Sequence, residues 1–151
     1  MRLEGEGIAL GLPEGWDARI SRTVRDIFRS VDHPLVHAAN FPLPPRRGDF
    51  GSGVVGEMEP LHTFVSLFEY GTESVGQSLF AAEGFPRQLD PDEFSPNALQ
   101  RAIPGQAGVQ RFFTEHGRAF SLYVVLGAFA ARRRLTPEVN ELLGTVEVAP
   151  A

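Results

Sequence analysis

The chain has 151 residues, of which 42% are hydrophobic, and a formal net charge of −5 at pH 7. This length predicts a single domain spanning residues 1–151, with about 70% of the surface of the unfolded chain buried on folding. The acidic balance does not favour nucleic-acid binding, which usually requires a basic surface. The absence of cysteine excludes disulfides, thiolate metal sites and cysteine nucleophiles.

The beginning of the chain argues against export. Gly, Glu and Pro interrupt residues 1–16 before an apolar core of a signal peptide could form. No apolar run approaches the ~20 residues that a membrane span needs. The sequence therefore predicts no membrane span and a cytoplasmic location.

The first elements are predicted to be short strands. Residues 2–12 have the pattern strand, turn, strand, and a second turn follows at Pro13 and Gly15. Apolar residues then alternate from residue 16, which favours a strand through about residue 24. The same stretch also matches a helical stripe that continues to residue 31, so residues 25–31 stay undecided.

The middle of the chain predicts further strands. Residues 33–43 are bounded by prolines and form a plausible strand, and the proline-rich residues 44–49 predict a loop. Residues 54–55 are expected to begin a short strand. In residues 63–70 both faces of a period-two pattern carry apolar side chains, which predicts a central strand.

The next segment changes from strand to helical spacing. Apolar residues recur at helical intervals in residues 72–82, which predicts a helix that ends near Gly84. Residues 85–105 contain four prolines, and Asp90 and Ser95 each precede a proline, as helix-capping residues do. We expect short helical turns in a long, irregular connection.

The most informative stretch comprises residues 108–125. Two apolar runs meet at His116-Gly117, and glycine accepts the positive φ that a tight hairpin turn demands. In the second arm both faces are largely apolar, which describes a central strand covered on both sides. Thr136-Pro137 then predicts the start of a last helix, preceded by a solvated loop at residues 132–134, and residues 146–148 predict an edge strand.

Short motifs in the chain do not predict chemistry. Residues 51–56 match GxGxxG, but a proline-rich loop precedes them, and the next proline leaves no room for a crossover helix. Residues 47–49 form an RGD tripeptide, which we interpret as a surface turn. On a strand, His33 and His37 would be about 13 Å apart, too far to share one metal. No serine lies in a GxSxG motif, so we predict no catalytic residue, no metal and no cofactor.

The opening segment, LPEGW at residues 12–16 after a short strand, resembles the PsbP-like and DcrB-like superfamily. The ending, a strand pair followed by a helix and a short strand, is similar too. The HAANFPLP and GDFGSG segments also resemble actinobacterial proteins of unknown function. The resemblance implies an α+β fold, an antiparallel β-sheet flanked by helices in an α/β/α sandwich, and a role in docking to other proteins.

These observations favour a non-catalytic protein-binding or adaptor domain, either a monomer or a small homo-oligomer. The alternative is a domain that binds a small hydrophobic ligand between sheet and helices, suggested by the 12 phenylalanines; a small enzyme is less favoured. Loops carry function more often than the scaffold beneath them. The predicted binding residues are therefore loop aromatic and arginine side chains, each phenylalanine being equally consistent with a core position: Arg47, Phe50, Phe85 and Phe94.

Overall fold

The computed structural model describes residues 1–23 and 32–151, which contain eight β-strands and one α-helix. Every strand pair is antiparallel. The helix, α1, spans Arg132–Gly144, and the strands are β1 (Arg2–Gly5), β2 (Ile8–Gly11), β3 (Asp17–Arg22), β4 (Pro34–Ala39), β5 (Thr63–Glu69), β6 (Ala107–Glu115), β7 (Arg118–Leu126) and β8 (Glu147–Val148).

The strands form two sheets, a larger sheet with the order β3-β4-β5-β7-β6 and a smaller sheet with the order β1-β2-β8. The predicted hairpin is confirmed, because β6 and β7 are joined at His116 and Gly117, whose φ angles are 50° and 77°. The strand, turn and strand predicted for residues 2–12 and the edge strand at residues 146–148 are confirmed in the smaller sheet.

Strand β7 is an interior strand of the larger sheet, next to the edge strand β6, and all nine of its residues are buried. It pairs with β5 on one side and β6 on the other, so that Tyr123 lies opposite Ser66 and Gln110. The prediction of a central strand covered on both sides is therefore confirmed.

The two faces of the larger sheet support two separate hydrophobic clusters. Alternate residues of β7 point to opposite faces: Leu122 and Val124 belong to the larger cluster, whereas Tyr123 and Val125 belong to the smaller one. The smaller sheet and α1 contribute to the larger cluster. Residues of the loops that follow β4 and precede β6 contribute to the smaller cluster.

The predicted α/β/α sandwich is wrong. Helix α1, with 13 residues, is the one α-helix in the described part of the chain, and the fold is mainly antiparallel β. Residues 72–82, predicted to be helical, form two separate 3-10 turns, with Gly76 at a φ of 91° between them. Val75 and Leu79 are 37% and 57% exposed. Helical spacing there does not create a buried stripe, and burial of such a stripe is what stabilises most helices in proteins.

The last helix begins earlier than predicted. It starts at Arg132 rather than at Thr136-Pro137, so residues 132–134 form its first turn instead of a loop. Basic side chains at this end oppose the helix dipole. Asp92 offsets that effect, since its Oδ1 lies 3.0 Å from Nη2 of Arg133 and 3.8 Å from Nε of Arg132.

Several shorter predictions have mixed outcomes. Asp90 caps the 3-10 turn Pro91–Glu93 through a capping box, as expected. Ser95 also caps a turn, since its Oγ accepts from the backbone N–H of Asn97 at 3.1 Å, and its backbone forms an isolated bridge with Gly108. The strand predicted at residues 54–55 is wrong, because these residues lead into the 3-10 turn Val55–Glu57. The strand predicted for residues 16–24 is present as β3, and residues 24–31 lie outside the described residues.

Arg118 joins the two sheets and both ends of the described chain. Its guanidinium donates to both carboxylate oxygens of Glu69 on β5, at 2.9 and 2.7 Å. It also donates to the carbonyl oxygens of Glu6 (2.8 Å), Gly7 (3.2 Å) and Ala149 (3.0 Å). These five bonds use all the donors that an arginine side chain has. The smaller sheet is thereby fixed to the first residue of β7.

Candidate functional site

His37 holds the loop that follows β4 against the larger sheet. The ring is 1% exposed; Nε2 donates to the carbonyl oxygen of Asp49 at 2.9 Å, and Nδ1 accepts from Nε of Arg47 at 2.9 Å. Arginine Nε always carries its proton, so Nδ1 is unprotonated and the ring is neutral. Burial lowers the pKa of His37 to about 4; the Arg47 charge acts in the same direction, and the hydrogen bond to Asp49 opposes it.

The glycine pattern at residues 51–56 lets the same loop approach the sheet closely. Gly51 has a φ of 94°, and a Cβ atom there would lie 2.9 Å from Cε2 of Phe64. The hydroxyl of Ser66 donates to the Asp49 carbonyl at 2.6 Å, alongside His37. Packing of the loop on the sheet therefore accounts for glycine at residue 51, and the segment that follows is a 3-10 turn rather than the helix of a dinucleotide site.

The connection that precedes β6 lies opposite this loop. The hydroxyl oxygen of Tyr123, which is 1% exposed, accepts a hydrogen bond from the backbone N–H of Gln100 at 2.7 Å. The side chain of Gln106 donates through Nε2 to the carbonyl oxygen of Val55 at 2.8 Å. The first bond ties the connection to the sheet, and the second ties it to the loop across from it.

A cavity of about 330 Å³ lies between the two segments. Residues within 49–55 form one wall, residues within 99–106 form the other, and Tyr123 and Val125 of β7 contribute the floor. Small-molecule sites have volumes of roughly 300–1,000 Å³ and are mostly apolar, with a few polar groups at defined places. This cavity matches the lower end of that range, and most of its lining is apolar.

One buried acceptor of the cavity lining has no partner. The carbonyl of Val55 can only accept, so the nitrogen of the Gln106 amide must face it and Oε1 must point elsewhere. Gln106 is 4% exposed, and within residues 1–23 and 32–151 its Oε1 has no hydrogen-bond partner. An unsatisfied buried acceptor costs about 1–3 kcal/mol.

Arg101 provides positive charge where the cavity opens to solvent. Its side chain lines the cavity but is exposed, and it lies beside Gly56, where an added Cβ would be 3.7 Å from Nη1. In the described ranges it makes no ion pair or hydrogen bond. The carboxylate-bearing residue Asp49 lines the same cavity. Since Oδ2 of Asp49 is buried, the charged group at the opening of the cavity is Arg101.

The four binding residues predicted from the sequence lie on opposite faces of the larger sheet. Arg47 and Phe50 share the loop after β4; Phe50 lines the cavity and stacks on Phe68 with 5.6 Å between ring centroids. Phe85 and Phe94 are 7% and 2% exposed and belong to the larger hydrophobic cluster. The alternative interpretation, a core position, describes these last two rings.

Sequence reasoning missed Tyr123, Gln106 and Arg101. For Tyr123 a signal existed, because it lies on a strand predicted to be buried, and a buried tyrosine hydroxyl needs a partner. Gln106 and Arg101 resemble ordinary polar loop residues. The role of Gln106 depends on contact with Val55, which lies 51 residues earlier in the chain.

Residues 1–23 and 32–151 contain no group of three or more His, Cys, Asp or Glu side chains that could hold a metal ion. Among the helices described, none has the length and apolarity that crossing a membrane requires.

No protein-family model, curated protein or solved structure matches this chain. Membership of the PsbP-like superfamily therefore stays a prediction, although the helix-flanked sandwich that it implied is incorrect.

Proposed function

We propose that this protein is a small-molecule-binding domain whose site is the cavity between residues 49–55 and 99–106. The observation that carries the proposal is a mostly apolar space of about 330 Å³ that two loops enclose against β7. One wall contains Phe50, a binding residue predicted from the sequence, and the other includes Leu99 and Gln100 of the irregular connection predicted for residues 85–105.

The position of the cavity differs from the ligand pocket expected between sheet and helices. Between the larger sheet and α1, the space lined by residues such as Leu122 and Leu142 is about 20 Å³. That volume is close to the ~10–15 Å³ that a single water needs. The face covered by the two loops supports ligand binding far better.

The polar groups near the cavity are suited to orienting a ligand rather than transforming it. Burial raises the pKa of Tyr123, so its phenol stays protonated at neutral pH. The Gln106 amide does not exchange protons with a substrate under these conditions. Both ring nitrogens of His37 are already engaged by the protein. These features support binding without turnover.

A substitution at the rim of the cavity tests the proposal. Ser52 lines the cavity and is exposed, so Ser52→Phe should obstruct the space without altering the core. Native mass spectrometry and thermal shift should detect a small molecule bound to the wild type and to a Ser78→Phe control, which adds the same ring at an exposed serine on another segment. Loss of ligand in Ser52→Phe alone supports the proposal. Equal ligand occupancy in all three proteins would contradict it.

Protein binding, which the sequence favours, is a second candidate. The exposed apolar side chains of Val75 and Leu79, four residues apart on the segment before β6, are the observation that favours it. A pull-down with wild type and Leu79→Ser tests this candidate. A stoichiometric partner that is lost in the variant supports it, and identical recovery by both proteins argues against this surface.

A further inference from the structure

We propose that the loop after β4 is released from the larger sheet when His37 binds a proton. His37 makes two of the hydrogen bonds that hold residues 47–49 on the sheet, one through each ring nitrogen. Residues within 49–55 form one wall of the cavity, so release of the loop removes that wall. The release itself does not depend on the proposed function, whereas the loss of a bound molecule at acidic pH rests on it.

The hydrogen bond between His37 and Arg47 cannot form when the ring is protonated. Nε of Arg47 can only donate, so Nδ1 of His37 must accept with its lone pair. A protonated Nδ1 would place two N–H groups and two positive charges at a separation of 2.9 Å. Nη1 of Arg47 also donates to the carbonyl oxygen of Pro44 at 2.5 Å, which binds the arginine to its own loop. When Arg47 leaves a protonated His37, the loop therefore moves with it.

The closed loop also keeps His37 away from water. The ring is buried and packs on Phe64 with 5.0 Å between ring centroids. Burial is the main cause that lowers the pKa of His37; the Arg47 charge acts in the same direction, and the contacts with Asp49 oppose both. Opening of the loop returns the ring to water, so the open form binds a proton more readily than the closed form.

The two strands that pair with β4 do not supply a charge that would hold this proton in the closed form. The residue opposite His37 on β3 is Arg19, and its positive charge is paired with Asp17 of the same strand. The residue opposite on β5 is Ser66, which does not titrate and donates to the same carbonyl oxygen as His37. Protonation of His37 therefore favours the open loop.

Hydrogen exchange of backbone amides, followed by NMR, measures the release. The N–H groups of Gly51 and Val54 donate within the loop, to the carbonyl oxygens of Gly48 and Gly51, and they exchange when the loop opens. Their protection factors, which are corrected for the pH dependence of chemical exchange, should fall about twentyfold between about pH 7 and pH 5. This ratio follows from a pKa of His37 of 6.5 in the open form and about 4 in the closed form. At both pH values they should be lower than those of amides in β7, because the loop opens without global unfolding.

Two variants identify the group that binds the proton. In His37→Gln the side chain can still donate to the Asp49 carbonyl but does not titrate, so the protection factors of the loop should not change with pH. His33→Gln is the matched control, because His33 packs on Phe68, the next phenylalanine along β5, with 5.4 Å between ring centroids. This control should keep the twentyfold change. If His37→Gln does not fold, wild type and His33→Gln still show whether the loop opens at acidic pH and whether His33 is responsible.

Three results would overturn the inference. The first is a set of protection factors at Gly51 and Val54 that does not change with pH in the wild type. The second is protection equal to that of β7 at both pH values, since the loop would then be released only by global unfolding. The third is the same fall in His37→Gln as in the wild type, which would assign the proton to another group. The exchange is measured without added ligand, so its outcome is separate from the Ser52→Phe comparison that decides the proposed function.

Discussion

Replacement of His37 by glutamine is expected to make folding stability less dependent on pH. The pKa of His37 is about 4 in the native protein, against 6.5 for an unperturbed histidine, so the unfolded chain binds the proton more readily. Its stabilising contribution is fully present above about pH 6.5 and is lost as the pH falls through about 4. At about 1.4 kcal/mol per pKa unit, the difference between a pKa of 6.5 and one of about 4 corresponds to about 3 kcal/mol of folding stability. About 2 kcal/mol of this stability is lost between about pH 7 and pH 5.

Urea unfolding followed by the fluorescence of Trp16, the single tryptophan, measures this effect. Glutamine does not titrate and can still donate to the Asp49 carbonyl, so the loop keeps one of its two contacts to this side chain. Carboxylates titrate in both proteins, so their contribution cancels when the loss of stability in His37→Gln is subtracted from the loss in wild type. Wild type should lose about 2 kcal/mol more than His37→Gln between about pH 7 and pH 5. Equal losses would refute the assignment of a neutral, buried imidazole at this position.

Two further substitutions test contacts of the fold. Arg118→Met leaves Glu69 without its partner at a largely buried position and should lower the free energy of unfolding in urea by about 3 kcal/mol. Arg111→Met, the control, breaks the exposed ion pair with Glu93 and should lower it by less than about 1 kcal/mol. Similar losses in the two variants would contradict the structural role of Arg118. Gly51→Ala should lower the free energy of unfolding by about 2 kcal/mol or more, because it combines a positive φ with a close contact. Gly84→Ala, at a φ of 100° with no atom within 4 Å of the added Cβ, should lower it by about 1 kcal/mol. Equal losses would show that the loop does not pack closely on the sheet.

The hairpin and the central strand can be predicted from the sequence because their signals are local. Gly117 marks the turn, and the apolar residues on both faces of β7 require cover on both sides. The prediction of a helix at residues 72–82 is wrong because the local pattern does not show whether the apolar side chains are buried. Its spacing is helical, but Leu79 points to solvent, and Gly76 adopts a positive φ that interrupts any helix. The packing environment, which the pattern does not contain, decides between helix and turn.

The candidate site is harder to predict because its parts are far apart in the chain. Phe50 is accessible to sequence reasoning as an aromatic residue on a loop, and the structure places it in the cavity. Gln106 becomes notable only once its nitrogen contacts Val55 and its oxygen is buried. Phe85 has the same local features as Phe50 but lies in the larger cluster, since the connection after residue 84 covers the other face of the sheet.

Chemical-shift mapping by NMR, with the small aromatic probes phenol, benzoate and benzamide added in turn to ¹⁵N-labelled protein, tests the location of the site most directly. We expect saturable shifts of backbone amides within residues 49–55 and 99–106 and at Tyr123, and we expect these shifts to be lost in Ser52→Phe. The groove on the smaller sheet, lined by residues such as Arg2 and Glu147, provides an internal comparison. Shifts confined to that groove, or the absence of saturable shifts anywhere, would contradict the assignment of the cavity as the binding site.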